Sequence, residues 1–256
     1  MSFILRFSLL SILVLTASLL LSVSSKSEQT LTVGADIFPP GVIVDPETGD
    51  CSGYFIDSVK KIFTESDFQI DFVCASPNII FRMLEKGQID LIVNIKTNTQ
   101  LDGLVTFVSP PYRDINISLY NHQNNTSFKT ISAVRGYHYN GQRKRLQEQG
   151  FEFYDLPDTA SALRFFMKKR STYLLSYRAS INYMFNKNAT SVEHKIVEKK
   201  MSTLDSYFAI SNKSVMFEQI KSALHNYAIK LENKYYLDDD TNKLFQGDSG
   251  VAIGSQ

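Results

Sequence analysis

The chain has 256 residues, 43% of them apolar and 21% charged, with 27 Lys+Arg against 26 Asp+Glu. That near-neutral balance argues against a nucleic-acid partner, which would appear as a basic excess or stripe. The apolar content excludes a disordered chain. Met1 to Ser25 holds one charge, Arg6, followed by an apolar run from Phe7 to Val23 and the small residues SVSS. This is the layout of a secretory signal with cleavage near Ser24 or Ser25, so an exported chain is expected. An uncleaved anchor is the alternative, although the run is shorter than the roughly 20 residues that a spanning helix needs. Setting the segment at 1–25 aside leaves a formal net charge of zero. The remainder, about 230 residues, is enough for one large domain or two small lobes.

Leu31 to Ala35 is a short apolar strand ending at FPPG, where Pro39 and Pro40 cannot continue a ladder. DPETGDCSG, Asp45 to Gly53, is dense in turn formers. It leads to YFIDSVKKIF, whose Phe55, Val59, Ile62 and Phe63 recur at helical spacing. QIDFVCA alternates like a strand, IIFRMLEKGQ reads as a helix stopped by Gly87, and DLIVN from Asp90 is a third strand. This β-α-β-α-β order with near-continuous apolar strands predicts a parallel sheet covered by helices.

The pattern then repeats. IKTNTQLDGLVTFVSPPY is loop-rich, and INISLY, Ile115 to Tyr120, reads as an extended crossing. A second αβ unit follows: a strand at Ile131 to Val134, a helix at RKRLQEQG, a strand at FEFYDL, a helix at TASALRFFMKKR and a strand at STYLLSY. IVEKKM is extended, SYFAIS reads as a return crossing, and VMFEQIKSALHNYAIKLENKYY as a long amphipathic helix. The Gly/Ser-rich end, 246–256, reads as a flexible tail. Two αβ units joined by two crossings predict two lobes with a ligand cleft at the carboxyl ends of the strands. Lobe one is expected over 26–118 and 204–245, and lobe two over 119–203. Between Leu119 and Thr203 the net charge is +8, and over the rest of the chain after Ser25 it is −8. Solvated helix faces account for such runs; the sharper alternative is a cleft biased toward anions on its second-lobe side.

Cys51 and Cys74 are the only cysteines. In an exported chain they permit one disulfide, worth about 3 kcal/mol for a loop of this length; two free thiols are the alternative. The histidines, His122, His138, His194 and His225, lack ligand spacing, so no metal is expected, and no cofactor motif is present.

The strings LTVGADIFPPG, TGDCSGYFIDSVKKIF, GQIDLIVNIKTNT, VTFVSPPY, AVRGY and YFAISNKS, in this order, resemble the bacterial extracellular solute-binding proteins of family 3. The match covers nearly all of the chain after the signal. The resemblance implies an α/β fold, the two-lobed type II periplasmic binding protein fold with a double crossover hinge. It also implies closure of the lobes over a small polar ligand, and an ABC permease or a sensor ectodomain as membrane partner of a monomeric chain. By residue, it implies ligand contacts from Asn94 and Thr97 in the loop after the third strand, with turn capping as the bland alternative. Asp36 matches an acidic position facing the cleft. Phe38 and Tyr54 are candidates for an aromatic wall, against an ordinary core role, and Tyr112 lies at the approach to the hinge.

Two departures qualify the resemblance. The family's T-x-x-R arginine, which pairs with a ligand carboxylate, is replaced in the stretch Thr99, Gln100, Leu101, Asp102. A buried ligand carboxylate facing Asp102 would be repelled. The family's second-lobe Asp, which accepts an α-ammonium, is replaced by Tyr177. The ligand is therefore expected not to be an ordinary free α-amino acid. Arg135 with the adjacent Gly136, and Arg178, are candidate replacements for an anion site, with Tyr137, Tyr139 and Tyr177 available to stack on a ring; surface arginines are the alternative. An enzyme of the cyclohexadienyl dehydratase type shares the resembled fold, but it needs the missing arginine, and G-x-S-x-G is absent. A binding protein without catalytic residues is expected.

Overall fold

The computed structural model describes residues 29–123, 128–188, 196–231, 235–237 and 254–255. The candidate signal at 1–25 lies outside them. Among the described residues no helix is long and apolar enough to cross a membrane.

The first apolar run forms β1, Gln29–Asp36, and it pairs in parallel over its whole length with β4, Phe68–Ala75. A two-residue hairpin, β2 (Ile43–Val44) and β3 (Cys51–Ser52), lies between them, followed by helix α1, Tyr54–Ile62. The buried residues of α1, Phe55, Ile56, Val59 and Ile62, fall on one face at the spacing read from the sequence. Its first turn begins at Gly53, φ 116°, where a Cβ would lie 2.4 Å from the Gly41 carbonyl oxygen; only glycine fits this close approach. Helix α2, Pro77–Glu85, has proline at its start and buries Ile80, Phe81 and Leu84. Strand β5, Leu91–Ile95, completes the first αβ unit.

The passage read as a loop followed by a crossing is one strand, β6, Val105–His122. Its return partner β10, Ile196–Ser211, is likewise continuous and runs antiparallel to β6 along most of both. Pro110 and Pro111 are accommodated because Ser109–Tyr112 oppose Tyr207 alone. The ladder passes from the pair Val108 and Phe208 to the pair Arg113 and Ser206. The missing proline donors thus fall in a bulge rather than in the ladder.

The second unit comprises β7 (Thr130–Val134), α3 (Gln142–Glu148), β8 (Glu152–Leu156), α4 (Thr159–Met167) and β9 (Tyr173–Tyr177). Asp158 caps α4 by accepting from Ser161 N–H at 2.6 Å. A further helix, α5, Arg178–Asn188, follows β9 directly and was not read from the sequence. It buries Ser180 and Asn182 beside Ala179 and Ile181, so its buried side does not stand out as an apolar stripe. The last helix, α6, Phe217–Ile229, is shorter than its pattern suggests. Beyond it, Tyr236 and Leu237 turn back and donate their backbone N–H groups to the carbonyls of Pro111 and Tyr112. Within the stretch read as a tail, Gly254–Ser255 (β11) pairs in parallel with Val197 and Glu198.

The strand order β4-β1-β5-β10-β6-β9-β7-β8 assembles a first lobe around β1, β4 and β5 and a second around β7, β8 and β9. Strands β6 and β10 are shared by both. Each lobe carries two apolar clusters, sorted by strand alternation: Leu91 joins one and Ile92 the other, and Leu175 and Leu174 divide likewise. This is the two-lobed, mixed α/β architecture with a double crossover. The boundaries expected at 118/119 and 203/204 fall inside β6 and β10.

Candidate functional site

The carboxyl ends of β1 and β5 in the first lobe meet the ends of β7 and β9 in the second. Contacts between described residues join them. The Phe38 ring packs edge-on against Tyr177, with centroids 5.0 Å apart. Ser180 at the start of α5 donates its hydroxyl to the Pro39 carbonyl at 2.7 Å. Thr97, after β5, donates its hydroxyl to the Asn140 side-chain oxygen at 2.9 Å.

The second-lobe side is an aromatic cluster. Tyr137, Tyr139 and Tyr177 stand in mutual contact, with centroids 5.3 to 5.9 Å apart. Tyr139 is buried, and its hydroxyl oxygen accepts the backbone N–H of Val134 at 3.0 Å. Three consecutive left-handed residues, Tyr139 (φ 48°), Asn140 (φ 50°) and Gly141 (φ 79°), form the turn that carries the cluster into α3. Such a backbone is costly for an aromatic residue and persists only where its surroundings enforce it. Arg143 enforces it here: the guanidinium donates to the carbonyls of Val134 and Tyr137 and pairs with Asp155 at 2.7 Å.

Facing this cluster, Asp36 ends β1 half-buried, and no hydrogen bond or ion pair reaches its carboxyl among the described residues. Burial pushes that carboxyl up to about 7. Burial raises the phenols of Tyr137 and Tyr177 as well, and the Asp36 charge adds to both.

The other candidates take varied positions. Tyr54 is half-buried at the start of α1; its phenol, raised by burial, accepts from Arg113, whose guanidinium lies over the ring at 5.1 Å. Asn94 serves its own loop, its side-chain oxygen accepting from Ile95 N–H and from Asn98. Thr99 and Asp102 are exposed on the short 3-10 turn Thr99–Leu101, and Leu101 is the buried member of the stretch. Asp102 therefore stands in solvent, which removes the buried repulsion expected of it.

Tyr112 is a core residue, 2% exposed, packed against Phe55 and Phe208. Arg135 is exposed, its guanidinium donating to the Asp155 carbonyl and its backbone N–H already committed to Leu156. Gly136, φ 80°, has open space beside it. Arg178 pairs with Glu198 at 3.5 Å, and that carboxylate also accepts from Ser118 at 2.5 Å and Tyr120 at 3.3 Å. Both arginines are thus engaged within their own lobe.

Asn140, Ser180 and Arg113 were not singled out from the sequence. The Asn140-Gly141 dipeptide is a turn signal that could have flagged the first; a serine in a helix start and an arginine in a strand give no such sign. Cys51 and Cys74 are joined, tying β3 to the end of β4 beside Asp36. Among the described residues no group of three or more His, Cys, Asp or Glu side chains is placed to hold a metal ion.

Solved structures share this fold. An ancestral arginine-binding protein bound to arginine has a TM-score of 0.67 at 21% identity, over 86% of this chain and 99% of that one. The GluR0 ligand-binding core in complex with L-glutamate gives 0.66 at 16%, over 86% and 96%. A histidine kinase sensor domain with similarity to periplasmic binding proteins gives 0.67 at 16%, over 86% and 97%. Likeness at such identities concerns the fold alone. A search of the curated proteins finds no match. The model of the family described as "Bacterial extracellular solute-binding proteins, family 3" matches residues 31–228, and the chain belongs to that family.

Proposed function

We propose that this chain is a periplasmic binding protein that closes two lobes over a small polar ligand other than an ordinary free α-amino acid. In this reading it acts as a monomer, catalyses no reaction and delivers its ligand to an ABC-type permease. The observation that carries the reading is the Asp36 carboxyl, without a partner among the described residues, opposite Tyr137 and Tyr177 where the strand ends of the two lobes converge. At the two positions where the family holds an amino-acid zwitterion, this chain has the stretch Thr99–Asp102, with Leu101 buried, and Tyr177. Phe38, Thr97, Tyr137, Tyr177 and Ser180 are the residues assigned to closure and to the ligand wall.

A sensor role uses the same closed surface, and a histidine kinase sensor domain has the same fold. The two roles differ in what the closed form docks on. The test is mass spectrometry of solute released when the purified protein is denatured, followed by calorimetric titration with that solute. Recovery of a common free α-amino acid at stoichiometric amount overturns the ligand assignment; recovery of a different small polar solute supports it.

A further inference from the structure

Where the strand ends meet, the Asp36 carboxyl lies near several rings, and four arginines lie on the neighbouring elements. Of these four, Arg143 and Arg178 have a carboxylate partner, Arg113 lies against a phenol and Arg135 stands in solvent. Asp36, by contrast, has no counter-charge among the described residues; its charge acts on the Tyr137 and Tyr177 phenols, and the Phe38 and Tyr137 rings each pack on Tyr177 at centroid separations of 5.0 and 5.9 Å. Aromatic faces attract cations through their negative quadrupole, and they do so best when the cation gives up little hydration on leaving water. A primary ammonium carries three N–H groups that each need an acceptor once desolvated, and ring faces supply none. An alkylated ammonium has no such requirement.

From this geometry we infer that the ligand is an organic cation, an alkylated ammonium without an adjacent carboxylate, seated between the Asp36 carboxylate and the rings of Phe38, Tyr137 and Tyr177. The inference rests on the cleft being the binding site and specifies which chemistry enters it. The carboxylate supplies the charge, and the rings supply a wall that closes only when the lobes meet. Ser180 and Thr97 hold that wall shut through Pro39 and Asn140.

The test is calorimetric titration of the purified mature chain with choline chloride and with tetramethylammonium chloride. Methylammonium chloride, L-arginine and L-glutamine serve as comparison probes, and sodium chloride matches ionic strength. Choline or tetramethylammonium is expected to bind saturably, about tenfold or more tightly than methylammonium. Asp36→Asn is expected to weaken that binding by about tenfold or more. Among the described residues the carboxyl makes no hydrogen bond, so this variant keeps its fold, as circular dichroism will check. Tyr177→Leu is expected to lose binding. Tighter binding of methylammonium or of either amino acid overturns the cation class while leaving the cleft in place, provided that Tyr177→Leu abolishes it. Choline binding that Asp36→Asn leaves within twofold overturns the assigned seat. No binding by any probe, with no solute released on denaturation, overturns both this inference and the cleft reading beneath it.

Discussion

Thr97 of the first lobe donates its hydroxyl to the Asn140 side-chain oxygen of the second at 2.9 Å, and Asn140 holds a left-handed backbone where it accepts. The bond joins residues of different lobes, so it contributes to the closed form. A neutral hydrogen bond contributes a net of about 0.5–1.5 kcal/mol. Thr97→Ala is therefore expected to weaken ligand binding by about threefold to tenfold and leave the urea midpoint nearly unchanged. Asn140→Gly, which keeps the positive φ but removes the acceptor, should match it. Calorimetric titration of both variants against the released solute checks this.

Asp36 makes the ligand-free closed form sensitive to pH. Its carboxyl is pushed up to about 7 by burial, so between its ordinary range near 3.8 and 7 the closed protein holds a proton that an opened one releases. The form that binds more protons loses stability as pH rises through that window. The neighbouring phenols are raised and stay neutral throughout. Small-angle scattering of the ligand-free protein should show it more closed at about pH 5 than at about pH 8, with Asp36→Asn flat across the range.

The fold was largely legible in the chain, because α1, α2 and α4 bury their apolar residues at helical spacing and β1, β5, β7 and β9 are short, mostly apolar runs bounded by turn formers. What failed to register has physical causes. Pro110 and Pro111 read as a break, yet the bulge opposite Tyr207 absorbs them and β6 runs on. Helix α5 buries Ser180 and Asn182, so period and polarity disagree there. Motif position and the neighbouring arginines made Asp36, Phe38, Thr97, Tyr137 and Tyr177 candidates, and the fold brings these residues to the place where the lobes meet. Tyr112 was misassigned because an aromatic at a strand bulge looks the same whether it points at a ligand or into the core.

That distinction can be measured. Tyr112 packs on Phe55 and Phe208 inside the first lobe, so Tyr112→Ala is expected to cost about 3–5 kcal/mol in urea unfolding. Tyr112→Phe keeps the ring in the core while removing the hydroxyl that contacts Ser58, and it should bind ligand as the unaltered protein does.

The bridge between Cys51 and Cys74 spans 23 residues of separation and should contribute about 3 kcal/mol by restricting the unfolded chain. The double variant Cys51→Ser, Cys74→Ser is expected to lose about that amount in urea unfolding. Adding reductant should bring the unaltered protein to the same midpoint and leave the double variant where it was.

The β6 and β10 ladder changes register twice, between Lys200 and Ser202 and between Ser206 and Phe208. Between these shifts, Ser202 to Ser206 pair residue for residue with Ile117 to Arg113. The strands linking the lobes therefore form a short stiff coupler with a compliant joint at each end. A single joint would confine the lobes to one swing, like a door. Two joints separated by a rigid link also admit a rotation about the link itself, so the second lobe can turn its aromatic face relative to Asp36 as well as approach it.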